Sequence, residues 1–171
     1  MRPALRNTIA ILFSLLVVVG WGFQYKLQQR REQRHRVASL PSFTALSLQG
    51  APVANPVGAT QPLVIIYFEP DCDHCQRQAT EVTRHVAELG SVPVLWLSCD
   101  SLPALRQFAA SYGLSQLPTM QVMQIRPVVA KKLDFFMTPD IRMYDAERRL
   151  LGRYRGEASV AAIERKLREA K

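Results

Sequence analysis

The sequence predicts an α/β domain in which helices cover both faces of a mixed β-sheet. Two unbroken apolar runs, over residues 63–68 and 92–97, have the length and composition of fully buried strands. A helical pattern follows each of them. Near the C-terminus, strand patterns at 141–144 and 150–154 flank a tight polar turn, which predicts an antiparallel hairpin. Strand-helix repeats and a hairpin in one chain indicate a mixed sheet in a layered α/β fold.

The limits of the helices follow from caps and spacing. Apolar residues from Ala79 to Leu89 recur at helical spacing, and the pattern ends at Gly90. Ser101 is a typical N-cap for a second helix, which ends at Gly113. The remaining predicted elements are a strand or hairpin within 43–50, a loop over 52–62, a strand over 120–124, a short helix over 127–133 and a closing helix over 158–171.

A short N-terminal segment precedes this domain. Residues 8–25 are uncharged and mostly aliphatic, and the aromatic residues at the end of this stretch are typical of a membrane interface. They predict one transmembrane helix that tethers the chain, and a removed signal peptide is the alternative. The predicted organisation is a flank over 1–7, the membrane helix over 8–25, a basic stem over 26–39 and the domain over 40–171.

Most of the positive charge lies beside the predicted membrane helix. Residues 1–36 carry +6 of the net +8, so residues 37–171 carry only +2. A basic patch that is confined to a membrane flank predicts contact with anionic lipid head groups, and a solvated helical stem is the alternative. It is poor evidence for nucleic-acid binding, and we predict no nucleic-acid partner.

The end of the first buried strand carries the residues with the clearest chemistry. Glu69, Pro70 and Asp71 form a turn signal, and Cys72 and Cys75 follow at the start of a helical pattern. Two cysteines at this spacing can close a disulfide within the first helical turn, and the helix dipole favours a thiolate on the first sulfur. We therefore predict Cys72 as the nucleophile and Cys75 as the resolving thiol.

Other interpretations of the two cysteines stay open. One alternative is half of a structural zinc site, although no second pair and no suitably spaced histidines follow. They are also compatible with two incidental buried cysteines. His74 lies between Cys72 and Cys75, and as an imidazolium it would stabilise a thiolate and make the pair more oxidising. A solvent-facing His74 would have no such role.

Two rules disagree about the side of the membrane on which the domain lies. More Lys and Arg follow the apolar stretch than precede it, and the positive-inside rule then predicts a cytoplasmic domain. A tethered dithiol favours an oxidising compartment, where disulfides persist. We give the second argument more weight and predict a single-pass membrane protein with its redox domain on the periplasmic, or extracytoplasmic, side.

The order of the motifs resembles that of the thioredoxin fold. A strand that ends in Phe-x-x-x-Cys-x-x-Cys is followed much later by Met137-Thr138-Pro139 and by the strand-turn-strand sequence IRMYDAERRLLGRYRG. The sequence LPSFTALSLQG is similar to the extra N-terminal hairpin of the membrane-tethered TlpA/ResA-like proteins and the broader redoxin (AhpC/TSA) group. The resemblance covers nearly all of residues 40–171 and implies a thioredoxin-like sheet.

The resemblance also implies an activity and a second part of the site. Pro139 corresponds to the family's cis-proline, which together with Thr138 presents backbone to an extended substrate, and Pro118 is the competing candidate. The implied reaction is thiol-disulfide exchange between Cys72–Cys75 and protein thiols or disulfides, with an upstream redox partner and without a metal or cofactor. The alternatives are a redoxin-type thiol peroxidase and a protein that handles metal or haem through its thiols.

Three residues near the dithiol bear on the acidity of the thiols. Many thioredoxins have a buried acid six residues before the first cysteine; Ile66 stands there in this sequence, so no proton relay can be assumed. Asp71 replaces the common tryptophan, and its carboxylate should raise the pKa of Cys72. Glu69 is a candidate substitute base or, alternatively, a solvated loop carboxylate.

Other chemically active residues have structural interpretations as well. Cys99 follows the second buried strand, where it would trap a mixed disulfide or, alternatively, pack as a small apolar residue. Four methionines of the domain are predicted to fill gaps in the core rather than to bind a soft metal: Met120, Met123, Met137 and Met143.

Overall fold

The computed structural model describes four stretches of the chain: residues 20–21, 24–26, 39–54 and 61–169. The chain divides into two compact units, Met1–Arg36 and Val37–Lys171. The predicted membrane helix over 8–25 and stem over 26–39 lie almost entirely outside the described residues and stay predictions. Within the described stretches, no helix is long and apolar enough to span a bilayer.

One mixed sheet forms the centre of the domain. Its strands in the described residues are β1 (Thr44–Ser47), β2 (Pro52–Ala54), β3 (Leu63–Tyr67), β4 (Val94–Ser98), β5 (Met120–Gln124), β6 (Asp140–Tyr144) and β7 (Leu150–Arg155). The helices that accompany it are α1 (Asp73–Arg84), α2 (Val86–Leu89), α3 (Leu102–Ser111), α4 (Pro127–Lys132) and α5 (Val160–Arg168), with a 3-10 turn at Leu114–Gln116.

The strand order places β3 well inside the sheet. The order is β2-β1-β5-β4-β3-β6-β7. Strand β3 runs parallel to β4 and antiparallel to β6, so the sheet is mixed, as predicted. Tyr67, the last residue of β3, pairs with Asp140, the first residue of β6. The turn that leaves β3 and the loop that enters β6 therefore meet at the same edge of the sheet.

Both faces of β3 are buried because its residues alternate between two apolar clusters. Val64 and Ile66 belong to a cluster that also contains residues of α1, α3 and α5. Leu63 and Ile65 belong to a second cluster, which α4 covers. Burial of each such side chain stabilises the fold by roughly 1.5–3 kcal/mol. Helices on both faces are what a strand without a polar side requires.

Local signals account for the ends of the helices. Ser101 and Ser159 cap α3 and α5, and each hydroxyl accepts a hydrogen bond from a backbone N–H of the first turn, that of Ala104 and that of Ala162. Gly113 follows α3 with a φ of 66°, a left-handed conformation that glycine adopts without steric cost. The predicted limits of α3 are confirmed.

Two predicted elements differ in the structure. The sequence predicts a loop from Pro52, but Pro52–Ala54 forms β2 because the turn at Gly50 folds it back on β1. The sequence also predicts one helix that continues to Leu89. The helix breaks at His85, whose φ and ψ of −112° and 21° are not helical, so α1 and α2 are separate.

Candidate active site

The two thiols lie where β3 passes into α1. Cys72 is the N-cap residue of α1, and its backbone N–H donates to the carbonyl of Glu69 at 3.2 Å. The Cys72 carbonyl accepts from the N–H of Gln76 at 3.0 Å, which begins the helical hydrogen bonds. Cys72 is half-buried, whereas Cys75 is fully buried in the core. The turn and the helix start therefore leave one thiol accessible and the other protected.

The surroundings of Cys72 favour its thiolate. Burial raises the pKa of this thiol, but hydrogen bonds outweigh burial: they come from the backbone N–H and the thiol of Cys75, from the Thr138 hydroxyl and from the backbone N–H of His74. The pKa of Cys72 consequently lies below its ordinary value. The first N–H groups of a helix have no partner within the helix, which is why a cysteine at the N-cap becomes more acidic.

Cys75 has the opposite character. Burial is the main cause that raises its pKa to about 12; the backbone N–H of Glu69 acts against this increase, and the Cys72 sulfur adds to it. Cys75 therefore stays protonated at neutral pH and donates a hydrogen bond to the Cys72 thiolate. A nucleophile has to be acidic and accessible, and a resolving thiol has to be protonated and protected. Cys72 and Cys75 differ in this way.

This division predicts selective alkylation of the reduced protein. We expect iodoacetamide to modify Cys72 first, along a pH curve that lies below that of an ordinary thiol, because only the thiolate reacts. Cys75 should stay unmodified at neutral pH. Timed alkylation with peptide mapping by mass spectrometry measures both rates. In denaturant the difference should vanish, and its persistence there would show that the fold does not cause it.

The loop before β6 brings Thr138 and Pro139 to the dithiol. Among the described residues the bond between them is the one cis peptide bond, and the bond that precedes Pro118 is not cis. The Thr138 hydroxyl hydrogen-bonds the Cys72 sulfur. The carbonyl of the buried Pro139 accepts from the N–H of Gly156 at 2.8 Å. The structure thus joins the dithiol to the Thr-Pro pair, whose role in binding substrate stays a prediction.

Two apolar side chains directly before Thr138 face solvent. Phe136 is 71% exposed and Met137 is 46% exposed. Met137 is therefore not a core residue, and the sequence prediction is wrong for it, whereas the other three methionines of the domain are buried as predicted. The reason is that Met137 lies in the loop between α4 and β6, so a core position cannot be inferred for it from strand spacing.

A buried arginine holds this loop in place. Arg142, in β6, donates to the backbone carbonyls of Leu133 at 2.5 Å and Asp134 at 2.7 Å. Its guanidinium also lies over the ring of Phe135, 4.2 Å from the centroid. Phe135 in turn stacks on Tyr67, with ring centroids 4.6 Å apart. These contacts fix the backbone immediately before the exposed apolar pair.

The charge of Arg142 is balanced inside the same cluster. Arg142 forms a bidentate pair with the fully buried Asp140, at 3.0 and 3.2 Å. Arg153 of β7 contacts the same carboxylate and also that of Asp134. Burial lowers the pKa of Arg142, but its hydrogen bonds and charge interaction with Asp140 reverse the direction and raise it. The sequence analysis missed this cluster because Asp140 and Arg142 alternate with apolar residues, as on a strand with one solvent-facing side.

The residues predicted to tune the acidity of the thiols, Glu69, Asp71 and His74, are at the site with exposed side chains. Their backbone reaches the sulfurs: the N–H of His74 hydrogen-bonds Cys72, and the N–H of Glu69 hydrogen-bonds Cys75. Asp71 is exposed beside Cys72. Because the pKa of Cys72 is lowered overall, the carboxylate of Asp71 does not decide its direction. The effects of these three side chains stay predictions.

The side chain of His74 contacts a carboxylate from the C-terminal part of the chain, that of Glu157. Oε1 of Glu157 lies 2.6 Å from His74 Nδ1 and accepts from Nε of Arg77 at 3.0 Å. These contacts lower the pKa of Glu157, Arg77 being the larger cause and His74 the second. Neither Glu157 nor Arg77 is predicted from the sequence. No local pattern points to this contact, because His74 and Glu157 are 83 residues apart.

Two further residues of the sheet bear on the sequence predictions. Ile66 is fully buried and pairs with Trp96 of β4, so an apolar side chain occupies the position at which many thioredoxins have a buried acid. Cys99 is half-buried and accepts a hydrogen bond from the Tyr67 hydroxyl at 3.6 Å.

Within the described residues, no group of three or more His, Cys, Asp and Glu side chains is placed to hold a metal ion.

Comparisons of the sequence give no match, whether with protein-family models or with curated proteins. Comparison of the structure with solved structures gives many matches at low identity. A secreted disulfide oxidoreductase of Mycobacterium tuberculosis, homologous to E. coli DsbE, is 18% identical with a TM-score of 0.63, over 79% of this chain and 98% of that one.

Two other similar structures come from different bacteria. A thiol:disulfide interchange protein of the thioredoxin family from Chlorobium tepidum is 16% identical with a TM-score of 0.63, over 78% of this chain and 95% of that one. A peroxiredoxin-like protein from Aquifex aeolicus is 16% identical with a TM-score of 0.63, over 78% of this chain and 85% of that one. The domain therefore has the thioredoxin-like fold, a mixed sheet flanked by helices, that the motif order predicts.

Proposed function

We propose that the protein is a thiol-disulfide oxidoreductase that acts on protein thiols and disulfides. The observation that carries this proposal is the pairing of an accessible, acidic Cys72 with a buried, protonated Cys75 beside the Thr138 hydroxyl. The occurrence of disulfide oxidoreductases among the structural neighbours agrees with it.

The site accounts for both halves of the exchange. In the reductive direction, the Cys72 thiolate attacks a client disulfide, forms a mixed disulfide and releases the other client sulfur as a thiolate, which takes a proton from water. Cys75 then attacks the Cys72 sulfur and gives its proton to the second client sulfur, which leaves as a thiol, so that Cys72–Cys75 is oxidised. An upstream redox partner supplies two electrons and one proton, which restores the Cys72 thiolate and the Cys75 thiol. The reverse sequence oxidises a client dithiol.

A glutathione titration of the full chain tests this proposal. The protein is equilibrated with mixtures of reduced and oxidised glutathione, and each state is mapped by mass spectrometry. The expected result is one reversible disulfide between Cys72 and Cys75, with Cys99 still reduced. Failure to form it, or formation only with bound metal, would contradict the proposal. Peroxide consumption faster than disulfide exchange would favour the thiol peroxidase instead.

We further propose that the client is an extended polypeptide that contacts the exposed pair Phe136–Met137. Large apolar side chains rarely stay exposed next to each other without a partner, and these two lie directly before the Thr138 hydroxyl that contacts Cys72. A client segment with apolar residues beside its cysteine would cover them while its disulfide meets the nucleophile.

Replacing Phe136 and Met137 together by serine should therefore affect clients according to their size. We expect kcat/KM for a peptide disulfide with apolar flanks to fall about tenfold, or about 1.4 kcal/mol of transition-state binding. Turnover of hydroxyethyl disulfide, which is too small to reach the pair, should not change. Val128→Ser, at an apolar position of α4 that is 62% exposed, is the matched control. Equal losses for both substrates would show that the pair supports the loop rather than the client.

The remaining part of the proposal concerns location. Residues 8–25 would tether the domain to a membrane, with the dithiol on the extracytoplasmic side. The uncharged, aliphatic composition of this stretch and the presence of a dithiol support it. We expect activity from a reporter enzyme that functions only outside the cytoplasm and is fused after Lys171. Activity of a cytoplasmic reporter at the same position would contradict the orientation.

A further inference from the structure

Two side chains on α1, two and five residues after the nucleophile, contact one carboxylate. His74 Nδ1 is 2.6 Å from Oε1 of Glu157, and Arg77 donates to the same oxygen through Nε at 3.0 Å. Arg77 also lies 2.8 Å from His74 Nδ1. The three side chains therefore form one cluster, which begins two residues after Cys72.

The backbone around Glu157 is hydrogen-bonded to both halves of the site, and this positions the Glu157 side chain at the cluster. The N–H of Gly156 donates to the Pro139 carbonyl at 2.8 Å. The buried Gln78 side chain accepts from the N–H of Ala158 and donates to its carbonyl, at 2.8 and 3.0 Å. The loop that carries Glu157 is thus held against α1 on one side and against the Thr-Pro segment on the other.

The charge of Arg77 interacts with the nucleophile, which lies five residues before it in the chain. The pKa of Arg77 is raised first by its hydrogen bond to Glu157, and the charges of Asp73 and Cys72 add to the increase. A cation near a thiolate stabilises it, and a carboxylate that neutralises the cation weakens the effect. The pairing of Glu157 with Arg77 therefore enters the acidity of Cys72.

We propose that Glu157 is a positioning residue that sets the redox potential of the dithiol by pairing with His74 and Arg77. This inference rests on the proposed function. With Glu157 in place, the Arg77 guanidinium is bound to a carboxylate that also holds His74, so the thiolate gains little from its charge. Without Glu157, the guanidinium is free to interact with the Cys72 thiolate. The reduced form is then more stable, which makes the pair a stronger oxidant.

The variant Glu157→Gln tests this inference, because it keeps the shape of the side chain and removes its charge. We expect the equilibrium constant for oxidation by glutathione to fall about tenfold, which corresponds to a potential about 30 mV less negative. The pH at which the Cys72 thiolate forms, followed by its ultraviolet absorbance, should fall as well. Glu169→Gln, which removes an exposed carboxylate paired with Lys166 in α5, should change neither quantity.

A double-variant comparison separates positioning from the direct charge of Glu157. In a protein that carries His74→Gln and Arg77→Gln, the further change Glu157→Gln should shift the equilibrium less than about twofold. The same tenfold shift in both backgrounds would overturn the inference, and so would an unchanged equilibrium in the single variant. If the unaltered protein formed no Cys72–Cys75 disulfide at all, the proposed function itself would fail.

Discussion

Replacing Cys72 by serine is expected to reduce turnover of a peptide disulfide by on the order of a thousandfold or more, as loss of a nucleophile does in other enzymes. A serine hydroxyl at this N-cap stays protonated at neutral pH and cannot attack a disulfide. Reduction of the peptide disulfide in the presence of excess dithiol measures the loss. Retention of full activity by this variant would eliminate the proposed mechanism.

Two matched variants show which step each thiol performs. Cys75→Ser should also lose turnover, yet it should accumulate a mixed disulfide through Cys72, because the first attack remains and the second is absent. Cys99→Ser should keep most of the activity, since this thiol contacts Tyr67 rather than the pair. A mixed disulfide that forms on Cys99 instead would move the nucleophile to the end of β4.

Replacing Arg142 by methionine is expected to destabilise the domain by about 3–5 kcal/mol. Asp140 would remain fully buried with Arg153 as its other arginine, and the Leu133 carbonyl would lose its contact with the guanidinium. Urea unfolding of the full chain, followed by far-ultraviolet circular dichroism, measures the change. Since Arg142 also holds Phe135, client turnover should fall even where the variant is folded.

The control for this variant is another paired arginine. Arg149 pairs with Asp145 and Glu147, but its side chain is 71% exposed, so Arg149→Met should cost less than about 1 kcal/mol. Equal losses at Arg142 and Arg149 would mean that burial does not govern the strength of these pairs. Comparing the two variants therefore tests whether burial is the cause of the loss of stability at Arg142.

The sequence predicts those parts of the fold that depend on near neighbours along the chain. The apolar run of β3, the turn after it and the position of Cys72 at a helix start all lie within about 15 residues, so periodicity and turn chemistry suffice. The serine caps of α3 and α5 are equally local. The Thr138–Pro139 segment was found only through the order of motifs along the chain.

What escaped prediction depends on contacts between distant segments. Glu157 lies among charged and small residues with no periodic signal, and only the packed loop brings it to His74. The pattern of β6 suggests one polar face, and only the packing of Leu133–Phe135 against that strand shows that Asp140 and Arg142 are buried. The prediction of a core position for Met137 is wrong for a related reason: side chains in a loop have no repeating direction from which burial could be inferred.

The strand order has a consequence for biosynthesis. Strand β3 needs β6 as its neighbour, but the ribosome makes the dithiol about 60 residues before Thr138. At a synthesis rate of about 5–20 residues per second, the two thiols exist for roughly 3–12 seconds without the loop that later hydrogen-bonds them. A nascent chain therefore carries a dithiol without its Thr138 contact, and the complete site forms only when the C-terminal third has emerged and folded.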